Sequence, residues 1–147
     1  MAQDRDFKPS ARRRARRFVM QGLYEHLISA NPAHEIEARC RADNDLRKTD
    51  VEYLHELLVG CVRERDHLES LLLGCLDRDL EQLTPVERSI LSIGAYELAF
   101  RIDVPYQVVI NEAVDLAKDF GATDGHRYVN GVLDRLAKQL RPHEQPG

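Results

Sequence analysis

The chain has 147 residues, a formal net charge of −4, and no unbroken apolar run long enough to cross a bilayer. That length predicts one domain, or two small lobes sharing a core, able to bury about 70% of the unfolded surface. Cys40, Cys61 and Cys75 are odd in number and widely spaced, with no CxxC pair, which argues against a disulfide framework or a thiolate zinc site.

The charge is unevenly spread. Residues 1–17 hold Arg5, Lys8, Arg12, Arg13, Arg14, Arg16 and Arg17 against Asp4 and Asp6, a balance of +5, so the remainder carries −9. A basic arm on an acidic body suits a polyanion partner at one end; a solvated, solubilising helix end is the other reading. The charged N-terminus lacks the apolar segment of a secretory signal, and reduced cysteines fit a cytoplasmic protein.

In chain order, residues 1–10 are expected to form a flexible basic arm. Ser10 is placed to cap a helix reaching about Ala30, with Ala15, Phe18, Val19, Gly22, Leu23 and Leu27 on its apolar face. Helical phase puts Arg13, Arg17 and Tyr24 together on the opposite face, and Arg12, Arg14 and Arg16 around exposed first turns. Cations beside an outward aromatic suit single-stranded RNA; a tyrosine lying over the helix edge is the alternative. Asn31-Pro32 ends that helix. A short helix is expected over Ala33–Arg41, then a polar loop over Asp43–Thr49.

Asp50 caps a leucine-rich helix that the charged string Arg63-Glu64-Arg65-Asp66-His67 interrupts, and helical spacing resumes through Leu68, Leu71, Leu72, Cys75 and Leu76. Thr84-Pro85-Val86-Glu87 has the form of a capping box, with Pro85 in the first turn. Gly94 within the next helix suits a close helix crossing. Asp103 is placed as a cap and Pro105 in the first turn of a helix whose face is Val109, Ala113, Leu116 and Phe120. Gly121 is expected to end it with positive φ, and Asp124 to cap a last helix carrying Val129, Val132, Leu133, Leu136 and Leu140. The pattern is all-α: about seven helices in two packed three-helix bundles, residues 11–76 and 77–147, forming one compact two-lobed unit.

No phosphate loop, nucleophile elbow or metal-ligand spacing is present, so no catalytic or metal-binding residue is assigned and no cofactor is expected.

Asp103-Val104-Pro105, Val109-Ile110-Asn111-Glu112-Ala113, Leu116-Ala117-Lys118, Phe120-Gly121, Asp124 and Val129-Asn130-Gly131-Val132-Leu133-Asp134, together with Ala11 to Tyr24, resemble the NusB family of bacterial transcription antitermination factors. Gly125 stands where that family usually has serine. The resemblance implies two three-helix lobes plus an extra helix, and binding rather than catalysis. It implies boxA-type single-stranded RNA as ligand, notably of ribosomal RNA operons, bound together with the small-subunit ribosomal protein NusE. Other Nus factors and the elongating RNA polymerase would be reached indirectly. Carried over by position, the RNA surface would comprise Arg12, Arg13, Arg14 and Arg16, with Arg17 as an added cation, then Tyr24, and at the last corner Phe120, Asp124, Arg127 and Tyr128. Glu87 matches an acidic position of the protein-partner surface, though its capping-box role accounts for it equally. A helical scaffold binding only proteins, a relative of the NusB-like domain found beside RNA methyltransferases, and a helix-turn-helix DNA reader at the Gly121 corner are the competing readings.

Overall fold

The computed structural model describes residues 9–146; Gly147 and most of the expected arm, with Arg5 and Lys8, lie outside the described residues. Among those described there are seven α-helices, two short 3-10 turns and no strand. They form two compact units that divide between Arg63 and Glu64.

The first unit holds α1 (Pro9–Ser29), α2 (Ala33–Asp43) and α3 (Val51–Arg63). Its core is the predicted apolar stripe of α1, with Ala15, Val19 and Leu23 buried against Ile36 of α2 and Leu54, Leu57, Leu58 and Cys61 of α3. Tyr53, which the periodicity did not single out, is buried with them. Asp50 caps α3 as expected, accepting from the Tyr53 N–H at 3.0 Å. Ser10 does not cap α1, because the chain is already helical at Pro9. The helix ends just before Asn31-Pro32 through Ala30, whose φ of 60° is the left-handed conformation that closes many helices.

The second unit holds α4 (Arg65–Leu73), α5 (Pro85–Phe100), α6 (Tyr106–Phe120) and α7 (Gly125–Leu140), with 3-10 turns at Leu80–Gln82 and Pro142–Glu144. The charged string breaks the helix at Glu64, as its composition predicted. The division between units therefore falls earlier than the sequence reading set it, because buried Leu68 and Leu72 tie α4 to the helices that follow. At the start of α5, Thr84 Oγ1 accepts from the Glu87 N–H at 3.1 Å and Glu87 Oε1 accepts from the Thr84 N–H at 3.0 Å. This is the predicted capping box, with both orphan donors satisfied.

The core of the unit is built from Ile90, Leu91, Ile93 and Leu98 of α5, Val109, Ala113 and Leu116 of α6, and Val129, Val132, Leu133 and Leu136 of α7. Gly94 sits where α5 crosses α7: a Cβ there would lie 2.7 Å from Leu133 Cδ1. Two expectations are corrected. Asp103 does not cap α6, whose cap position is Pro105; Asp103 pairs with Arg101 instead, at 3.0 Å. Gly121 has φ −94°, so it is not there for positive φ. It is there because a Cβ would meet the Ala117 carbonyl oxygen at 2.8 Å.

Candidate nucleic-acid interface

The two sets of predicted residues lie in different units, and each set has its own geometry. In the first unit the start of α1 is tied to the start of α3. The Ala11 carbonyl accepts from the Asp50 N–H at 3.2 Å, and Arg12 Nε lies 3.6 Å from the Asp50 carboxylate. The Arg12 guanidinium stands 4.3 Å above the Tyr53 ring, and that of Arg16 stands 5.5 Å from the same ring. Two cations on one buried aromatic are a packing device as much as an electrostatic one.

This separates the arginines that sequence phase had grouped. Arg16 is only 3% exposed, which corrects its placement on an exposed turn; it belongs to the inner side of α1. Arg12 is half-buried. Arg13, Arg14 and Arg17 are exposed. So is Tyr24, at 43%, on the face predicted for it. Arg13, Arg17, Gln21, Tyr24 and Ile28 form an exposed stripe with helical spacing along α1. At about 1.5 Å per residue it runs for roughly 22 Å. Its cations and half-open ring can meet a strand's phosphates and one of its bases.

The second unit carries the corner between α6 and α7. Phe120 is half-buried, while Asp124 and Arg127 are exposed. Asp124 occupies the cap position of α7 without a side-chain capping bond; only its carbonyl engages, accepting from the Arg127 N–H at 3.2 Å. Its carboxylate is thus not consumed by the cap that the sequence assigned to it. Tyr128 is half-buried, with the Arg78 guanidinium 4.0 Å from its ring centroid. Burial, and then the negative charge of nearby Asp77, push the Tyr128 hydroxyl above its ordinary pKa. Asp77 itself is held below the usual carboxylate range by its 2.9 Å hydrogen bond from Arg78. One face of Tyr128 is therefore covered by an arginine, and its hydroxyl is buried. The sequence reading missed Arg78, because it lies 50 positions from its partner in the chain.

Glu87 is half-buried in its capping box. Gly125 is buried beside it, and a Cβ there would lie 3.3 Å from Glu87 Oε2. A side chain at 125 would meet that carboxylate directly, so the glycine leaves this oxygen uncovered from the α7 side.

Elsewhere in the first unit, Glu37 is buried between Arg41 (2.8 Å) and His55 Nδ1 (2.7 Å). Burial raises its pKa, but the hydrogen bonds from Arg41 and His55 outweigh this and hold it below the ordinary value. Among the described residues no group of three or more His, Cys, Asp or Glu could hold a metal ion, and no helix is long and apolar enough to cross a membrane.

Comparison with known proteins adds an independent line. The model of the NusB family matches residues 13–138. The transcription antitermination protein NusB of Acinetobacter baumannii (strain AYE) is 50% identical over 136 residues, covering 92% of this chain and 91% of that protein. The protein of the same name from Paraburkholderia phymatum is 53% identical over 135 residues, covering 92% and 93%. Among solved structures, T. maritima NusB is similar with a TM-score of 0.77 at 28% identity, over 90% of this chain and 94% of that one. A crystal structure of the antitermination factors NusB and NusE in complex with dsRNA is similar with a TM-score of 0.75 at 25% identity, over 90% and 99%.

Proposed function

The chain belongs to the NusB family, and from that premise we propose that it is an RNA-binding transcription antitermination factor working with NusE. On this reading it holds a boxA-type single strand in nascent transcripts, notably ribosomal RNA, and joins the elongating RNA polymerase complex through its partners. Its action is assembly in the cytoplasm, without catalysis or cofactor.

The observation that carries the reading is the outward stripe of α1, with Arg13 and Arg17 on the same face as a Tyr24 ring left 43% exposed. Arg14 flanks it. These cations would hold phosphates and supply most of the salt-sensitive affinity. Tyr24 would stack a base, at about 1–3 kcal/mol where stacking is tight. Arg12 and Arg16 support the surface from behind by fixing α1 on Tyr53. In the second unit, Asp124, Arg127 and Tyr128 would supply further contacts, with Phe120 at the same corner. Glu87 would face the protein partner.

The test is a titration of a boxA-type strand, a scrambled strand and a duplex, each with and without NusE and at two salt concentrations. Preference for the boxA strand that sharpens with NusE is the expected result. Tyr24→Ala is expected to weaken RNA binding by about five- to a hundredfold, the range of one lost stack, while thermal melting stays nearly unchanged. A large fall in melting temperature would make Tyr24 a core residue. No RNA binding in any condition would leave a scaffold that binds only proteins.

A further inference from the structure

The first unit has a second basic feature beside the α1 stripe. A cleft of about 620 Å³ opens between α1 and the loop joining α2 to α3, a size within the range of roughly 300–1,000 Å³ typical of small-ligand sites. Arg14, Arg17, Phe18 and Gln21 line it from α1, and Lys48 and Thr49 from the loop. Arg47 and Asp45 complete the loop side. Asp45 is the one acid in the lining, and its carboxylate is held by Arg47 within the loop, at 3.0 and 2.7 Å. Counted by residue, the lining holds Arg14, Arg17, Arg47 and Lys48 against that one acid, in a chain whose overall charge is negative.

Thr49 supplies a second, independent observation. It is 8% exposed, and its hydroxyl is buried with no hydrogen-bond partner among the described residues. Burying a hydroxyl without a partner is unfavourable, and valine would fill the same space without that penalty. A hydroxyl kept in the wall of a cation-rich cleft fits an arriving acceptor. Phe18 gives the cleft an aromatic wall and is only half-buried.

We propose that this cleft is a nucleotide subsite for single-stranded RNA, in which Lys48 and Arg14 receive a phosphate, the Thr49 hydroxyl turns out of its buried position to donate to it, and Phe18 packs against the adjoining base or ribose. The site adds the α2–α3 loop to the RNA surface, where α1 alone carried the earlier reading. It rests on the RNA-binding function proposed above.

The test uses the full chain and a short boxA-type oligoribonucleotide with a fluorescent end label, titrated at several salt concentrations. The proteins compared are wild type, Lys48→Ala, Thr49→Val and, as a charge-matched control in the second unit, Lys138→Ala. Lys48→Ala is expected to reduce the salt slope by about 0.7, the contribution of one phosphate contact on a single strand. Thr49→Val is expected to weaken binding about tenfold or more, the effect of one lost hydrogen bond to a charged group, with a melting temperature equal to or above wild type. Lys138→Ala is expected to bind as wild type does. If wild type binds the RNA and Lys48→Ala and Thr49→Val match it in affinity and slope, the subsite is overturned and the α1 surface stands. If wild type binds no RNA at low salt, the function and the subsite both fall.

Discussion

Arg141 has no solvent exposure, and its guanidinium closes the carbonyl end of α5. Its nitrogens donate to the carbonyls of Leu98 (3.0 Å), Val104 (3.0 Å), Glu97 (3.1 Å) and Arg101 (3.0 Å), and to Glu144 Oε2 at 2.6 Å. A helix end leaves several carbonyls without intrahelical donors, and one planar fork serves two of them here, together with the Arg101 and Val104 carbonyls of the chain that follows. Glu144 in turn accepts from the Tyr106 N–H at 3.2 Å, giving α6 the side-chain acceptor that Pro105 cannot provide. The Arg141 hydrogen bond, and then that from Tyr106, hold Glu144 below the ordinary carboxylate pKa. Replacing Arg141 with Met is expected to cost about 3–5 kcal/mol of stability, since it strands buried acceptors together. Lysine, with one nitrogen and no fork, is expected to recover only a minor part. Urea unfolding of the two variants checks this; a loss under about 1 kcal/mol for Arg141→Met would mean that solvent satisfies those carbonyls.

At the scale of helices, the signals that could be read from the sequence were local ones. Thr84 to Glu87 spans one turn, and Asp50 to Tyr53 likewise, so caps built within a few residues were visible in the string. The charged break at Glu64 and the apolar stripes of α1, α6 and α7 were visible for the same reason. The Arg141 plug was not, because its acceptors lie 37 to 44 positions away and are backbone atoms. Arg16 was misplaced because helical phase fixes a direction but not what stands there. Tyr53, on a helix two elements later, turns a predicted surface into an interior. Gly94 lies between these cases: its propensity cost hinted at a crossing, and the structure names Leu133 as the neighbour. Gly94→Ala would gain about 1 kcal/mol in helix propensity but force Leu133 to move, at about 1–3 kcal/mol for overpacking. The expected net result is destabilisation, with Gly94→Ala costing less in a Leu133→Val background than in wild type. A Gly94→Ala protein more stable than wild type would show that the crossing has room for a methyl group.

At the scale of the molecule, charge divides with the fold. Residues 1–63 hold twelve Lys and Arg against ten Asp and Glu, a net of +2, while residues 64–147 hold nine against fifteen, a net of −6. On the function proposed above, this field would steer a polyanion first toward the first unit and a cationic partner toward the second, before any contact forms. Glu87 is where this bears on one residue, because it is both a carboxylate of the acidic unit and half of a capping box. The two roles come apart under Glu87→Gln, which keeps an oxygen for the Thr84 N–H and removes the charge. If Glu87 faces NusE, Glu87→Gln is expected to slow association with NusE several-fold, more at low salt than at high. Melting temperature should stay close to wild type, because the cap survives. Glu87→Ala is expected to show the same binding loss plus about 0.5–1.5 kcal/mol of destabilisation from the broken box. Stopped-flow association at two ionic strengths, beside thermal melts, separates the two contributions. An unchanged association rate for Glu87→Gln would assign this residue to the cap alone and move the partner's electrostatic contact elsewhere on the acidic unit.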